Sequence, residues 1–178
     1  MKKTIVVYYS RSGNNKFIAE KMAQQLDCEL VAIRSKMNFF PLLMLFKNGF
    51  GIKPIEVDFK QYEQIVLVGP VWMGKLVSPL RGFIQQYGND ISRYYFATCC
   101  ASIEAEKNKK FGYTLVFNAL QELIGEKCIH CEPFSVELIA ADDMPKTNEH
   151  LMKIRLSNDN FKGEIQKRMD AFVLKVNN

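Results

Sequence analysis

Six residues near the amino end, Ser10, Arg11, Ser12, Gly13, Asn14 and Asn15, bring two hydroxyls, two amides, a guanidinium and a glycine into one short stretch. They follow the apolar run Thr4-Ile5-Val6-Val7-Tyr8-Tyr9 and precede Lys16-Phe17-Ile18-Ala19, where the pattern turns helical. The run is rich in β-branched and aromatic residues and reads as a strand buried on both faces. Strand, polar loop and helix in that order build an anion site. The first amides of a helix have no intrahelical partner and carry the positive end of the dipole. The hydroxyls and amides add donors, and Gly13 lets the backbone wrap a phosphate closely. The loop lacks the lysine and spacing of G-x-x-x-x-G-K-[ST] and the glycines of G-x-G-x-x-G, so a nucleoside triphosphate site and an ordinary dinucleotide site both lose support. The same residues also suit a plain turn with a good helix cap.

A second candidate segment is Gly69-Pro70-Val71-Trp72-Met73-Gly74-Lys75, which holds the single tryptophan of the chain. A loop tryptophan exposes a large ring unless something covers it. Packing against the sheet edge is one cover; a flat aromatic ligand beside the phosphate site is the other. The third candidate loop is Thr98-Cys99-Cys100-Ala101-Ser102. Two of its residues belong to a total of five cysteines, an odd number that argues for free thiols in a reducing compartment. Cys128-Ile129-His130-Cys131 has C-x-x-C spacing without a second ligand pair. On a strand, an odd spacing puts Cys128 and Cys131 on opposite faces, which predicts no metal site and no working dithiol, only buried or half-buried thiols.

The elements that must position these loops alternate along the chain. Residues 28–33 read as a short second strand and 65–69 as a third, apolar throughout. A helix opens at Ser78-Pro79, with Ser78 as its cap and the proline in its first turn, and stops before Gly88-Asn89. Residues 94–98 read as a fourth strand, 110–124 as a helix ended by Gly125, and 128–138 as a fifth strand whose Pro133 suits an edge. Phe161, Ile165, Met169, Phe172, Val173 and Val176 give a closing helix. This order predicts a doubly wound α/β sheet with right-handed crossovers and one domain over residues 1–178. The loops after strands one, three and four then converge at the carboxyl edge, where such sheets bind ligands.

Composition agrees with a globular protein: 48% hydrophobic, 24% charged, over 178 residues. The apolar run after Met1-Lys2-Lys3 is too short for a signal core or a membrane span, so the cytoplasm is the expected compartment. A net charge of +5 favours an anionic cofactor or partner, yet no arginine-rich cluster interleaved with aromatics points to nucleic acid.

On these motifs the chain resembles the flavodoxin-like family, in particular its short bacterial FMN proteins. Ser10-Arg11-Ser12-Gly13-Asn14-Asn15 is similar to the family's [ST]-x-[ST]-G-[NT]-[ST] phosphate loop, and Gly69-Pro70-Val71-Trp72-Met73-Gly74 with Ser78-Pro79-Leu80-Arg81-Gly82 to its G-x-P-x-W loop and following helix. The resemblance implies a five-stranded parallel sheet in the order 2-1-3-4-5 and FMN as cofactor. It assigns Ser10, Arg11, Ser12, Gly13, Asn14 and Asn15 to the phosphate and Pro70, Val71, Trp72, Met73, Gly74 and Lys75 to the ring, with Thr98, Cys99, Cys100, Ala101 and Ser102 completing the site. The flavin itself carries the chemistry, so no catalytic side chain is expected. Asn15 stands where the family has Thr or Ser. The third loop lacks the tyrosine that carrier flavodoxins stack on the flavin, and the chain is basic where carriers are acidic.

These departures favour an oxidoreductase passing electrons from NAD(P)H to quinones, nitroaromatics or similar acceptors. An electron carrier between redox proteins and a flavin-free interaction module are the alternatives. The insert at residues 37–51, rich in Phe, Leu and Met, is expected either to pack as a crossover helix or to form a lid, a substrate wall or a homodimer contact.

Overall fold

In the computed structural model, residues 2–36, 51–141, 145 and 147–178 are described. The first strand, β1 (Thr4–Tyr8), is followed by helix α1 (Asn14–Leu26) and β2 (Glu29–Ala32). Next come β3 (Gln64–Val68), a two-residue pair β4 (Val71–Trp72) and β5 (Lys75–Leu76), and helix α2 (Ser78–Tyr87). The chain continues through β6 (Tyr94–Cys100), α3 (Tyr113–Ile124) and β7 (Cys128–Ser135), then the single turn α4 (Asn148–Leu151) and α5 (Glu164–Asn177).

β2, β1, β3, β6 and β7 form one parallel sheet in that order, the predicted 2-1-3-4-5 arrangement. β3 lies at its centre, and all five of its residues are buried, as a strand covered on both faces must be. Alternate side chains feed two cores. Val6, Val66, Val68 and Tyr95 face α1 and α5, while Ile5, Val7, Ile65, Leu67 and Phe96 face α2 and α3. β7 is an edge strand, so Pro133 costs no ladder bond on the sheet's outer side.

Four boundaries differ from expectation. β6 runs on to Cys100, two residues past the expected end at Thr98, and takes Cys99 and Cys100 out of the loop. α3 begins at Tyr113 rather than at 110, because Gly112 lies against the carbonyl of Lys107, 1.9 Å from where a Cβ would stand, and the chain must turn there. β7 ends at Ser135, whose hydroxyl accepts from the Glu137 amide and turns the chain into a 3₁₀ segment, Val136–Ile139. α2 begins at Ser78 itself, with Val77 at the cap position.

Residues 37–50 of the insert, and with them its expected helix, lid or contact, lie outside the described residues. On its flanks Ser35 bridges Ile52 in antiparallel fashion, and Ile52 and Phe59 fill the core beside β1 and β3. Among the described residues no helix is long and apolar enough to cross a membrane, and no group of three His, Cys, Asp or Glu gathers to hold a metal.

Candidate functional site

β1 delivers the polar loop to the carboxyl edge of the sheet, and α1 starts directly beyond it. Gly13 takes φ 97°, a left-handed conformation that glycine adopts without strain, and its amide donates to the Ser10 hydroxyl over 3.2 Å. The first-turn amides of α1 then point out of the helix end.

The two asparagine side chains are spent inward. Asn15 is 3% exposed; its amide donates to the Cys99 carbonyl (3.2 Å) and its oxygen accepts from the Cys99 amide (2.8 Å). Asn14 donates to the Ile154 carbonyl (3.0 Å) and accepts from the Leu156 amide (3.1 Å). Each thus mimics a peptide group. Asn15 ties the loop to β6, and Asn14 ties it to a segment 140 residues away. What they leave for an anion is backbone N–H, with the hydroxyls of Ser10 and Ser12.

The segment after β3 is a tight hairpin rather than an open loop. β4 and β5 pair through Val71 with Leu76 and Trp72 with Lys75. Both turn residues have positive φ, Met73 at 52° and Gly74 at 67°, the pattern of a type I′ turn. Gly74 is doubly required, since a Cβ there would lie 2.6 Å from the Lys110 carbonyl. Trp72 is half-buried, edge-on to Tyr9 (centroids 6.0 Å apart, 76° between planes), with the Arg11 guanidinium 5.9 Å from its ring centre. The tryptophan is therefore partly covered by protein.

Together these loops enclose a cavity of about 680 Å³. Arg11, Ser12, Asn14, Asn15, Pro70, Val71, Trp72, Met73, Cys99, Cys100, Ala101 and Ser102 line it. Ser10 lines a second cavity, and Gly13, Gly74, Lys75 and Thr98 are not among the lining residues of the first. Thr98 is fully buried, with no hydrogen-bond partner for its hydroxyl among the described residues. Burial pushes the Cys100 thiol up to about 12 and holds Cys99 well above its ordinary value, so both remain neutral and neither offers a thiolate to the cavity.

Sequence reasoning missed the opposite wall. Phe111, Val136, Asn148, Leu151, Met152 and Arg155 also line the cavity. Arg155 donates to the carbonyls of Met152 (2.7 Å) and Ile154 (3.0 Å), and Asn160 braces the Arg155 carbonyl (2.8 Å), which shapes this wall. Nothing local marks these residues; the Asn14 bonds, the Ser102 bond to the Phe111 carbonyl and core packing of Val136 and Leu151 bring them into place. Phe111 is 46% exposed and supplies an aromatic on the side that residues 98–102 leave bare.

The second cavity, about 420 Å³, adjoins the first through Arg11. It is lined by Tyr9, Ser10, Arg11, Ile33, Arg34, Ser35 and Lys53, so among the described residues three cations and no acid face it.

The family model of the flavodoxin domain matches residues 51–153, more than half of the chain. This chain belongs to the flavodoxin family. The match spans the hairpin, β6 and most of the opposite wall, and leaves residues 10–15 to the geometry above. No curated protein matches. Among solved structures, a flavoprotein in complex with FMN from Lactobacillus acidophilus NCFM aligns with TM-score 0.62 at 18% identity, covering 75% of this chain and 93% of that one. The NMR structure of the apo-form of the flavoprotein from Lactobacillus acidophilus NCFM aligns at 0.58 and 22%, covering 75% and 92%. At such identities the likeness is one of fold.

Proposed function

We propose that this protein binds FMN in the 680 Å³ cavity and works as an oxidoreductase passing electrons from NAD(P)H to quinones, nitroaromatics or similar flat acceptors. One observation carries the reading: a single cavity joins the amide-bearing start of α1 to Trp72, which is what a ligand with phosphate at one end and an aromatic system at the other requires. The residues present fit that group. Ser12 and the first amides of α1 would hold the phosphate, with Ser10 bracing the loop through the Gly13 amide. Arg11 would balance its charge, and Trp72 with the Met73–Gly74 turn would border the ring. FMN bound there supplies the redox chemistry.

Small side chains at Ala101 and Ser102 leave room for a second planar molecule. The neighbouring cavity with Arg11, Arg34 and Lys53 suits the phosphates of a nicotinamide donor. The neutral thiols of Cys99 and Cys100 keep that wall chemically quiet. The test is purified protein titrated with FMN and then assayed for NAD(P)H-dependent reduction of a quinone series. Stoichiometric FMN uptake and turnover support the reading. A protein that takes up FMN but reduces no acceptor removes the enzymatic part.

A specific observation favours a second reading, an electron carrier. Met73, Phe111, Leu115 and Met152 are large, apolar and exposed around the cavity mouth, as a protein-docking rim would be. Under that reading Phe111→Ala weakens electron exchange with a redox protein. Under the first it leaves small-acceptor turnover equal or faster.

A further inference from the structure

The C-x-x-C segment departs from its expected geometry. Tyr94 pairs with Cys128 and Tyr95 with His130, so one step along β6 matches two along β7 and Ile129 is an extra, bulged residue. The bulge resets the alternation. Cys128, opposite Tyr94, and Cys131, opposite Phe96, therefore lie on the same face, packed against the α2–α3 core, and their sulfurs stand 3.5 Å apart. The expectation of opposite faces is thus corrected. Both cysteines are half-buried, on an edge strand. Cys128 begins β7 at the end remote from the cavity, on the order of 20 Å from the strand's carboxyl end, and Cys131 stands about 13 Å from it, at about 3.3 Å per residue.

The two thiols are not equivalent. The hydrogen bond between the two thiols lowers the Cys128 pKa against the opposing effect of burial, while that same bond, then burial, raises Cys131. Cys28 goes the other way, pushed up to about 11 by burial, and Cys99 and Cys100 are raised as well. Among the cysteines, the attacking thiolate belongs to Cys128.

We infer that Cys128 and Cys131 are a reversible thiol–disulfide pair that exchanges with low-molecular-weight disulfides, separate from the flavodoxin cavity. The Cys128 thiolate attacks one sulfur of the small disulfide, whose S–S bond breaks and releases one small thiolate. Cys131 loses its proton to water and attacks the Cys128 sulfur, forming the Cys128–Cys131 bond and expelling the second small thiolate. The protein gives up two electrons and two protons, and the small disulfide becomes two thiols. Closure needs the sulfurs to approach from 3.5 Å to about 2.05 Å, a shift within reach of side-chain rotation at a bulge.

The test uses oxidised glutathione on the native full-length protein, followed by denaturation, alkylation of free thiols and intact-mass measurement. Of the five cysteines, three are expected to alkylate after oxidation, and dithiothreitol restores all five. Both residues fall in one tryptic peptide, between Lys127 and Lys146, so peptide mapping of the wild type needs no variant. That peptide is expected two hydrogens lighter. Cys131→Ser, lacking the resolving thiol, is expected to retain a glutathione adduct on Cys128. Cys128→Ser is expected to gain neither adduct nor cross-link. Five alkylated cysteines after oxidation, a lasting glutathione adduct in the wild type, or a cross-link mapping to Cys99 and Cys100 would each overturn the inference.

Discussion

The two walls of the cavity are built by different physics. One comes from residues 10–15 and the β4–β5 hairpin, short segments whose shape follows from their own residue types: a glycine at φ 97°, a two-residue turn with both φ positive, a helix start. The other comes from Phe111 and residues 148–156, a single helical turn followed by irregular chain that bonds to the distant Asn14. Asn14 joins the two walls, and Asn15 ties the first to β6. Residues that look like ligands are here the braces that let backbone act as ligand, and a side chain's hydrogen-bonding capacity does not reveal where it will be spent.

The largest expected effect comes from cutting the buried brace. Asn15→Leu leaves the Cys99 amide and carbonyl without these partners, and the loss is expected to be about 3 kcal/mol. Such a loss lowers the melting temperature by roughly 6–12 °C in a chain of this size. Calorimetry checks it; an unchanged transition would show that the loop is held by other means. Gly74→Val comes next, at about 2 kcal/mol, from a β-branched residue forced to φ 67° against the Lys110 carbonyl. Urea unfolding reads the stability, and FMN affinity is expected to fall with it.

Asn14→Ala sharpens the comparison directly, because it unties the far wall while sparing the near one. About 1–2 kcal/mol of stability is expected to go, with protease sensitivity rising at residues 152–160 and not in the hairpin. Trp72→Ala does the reverse. It spares the fold, and FMN affinity is expected to drop about fivefold, for about 1 kcal/mol of lost ring contact, by fluorescence titration. The smallest effect separates the thiols by reactivity. As pH rises from neutral, iodoacetamide is expected to label Cys128 first, since its pKa is lowered, and Cys99 and Cys100 last, since theirs are raised.

Alternation, periodicity and punctuation were enough to read the five strands, the main helices and the edge position of β7, because those signals reflect burial by strand and helix geometry alone. The paired motifs at residues 10–15 and 69–74 were enough to read the family and the convergence of two loops. Tertiary structure alone decided the rest. The register with β6 placed a bulge at Ile129 and so turned Cys128 toward Cys131. The run of β6 to Cys100 moved Cys99 and Cys100 from an expected loop into the strand. The folding of residues 148–156 onto Asn14 brought Asn148, Leu151, Met152 and Arg155 into the cavity lining. Each depends on which distant backbone groups need partners, and a residue's type does not record what the fold will bring against it.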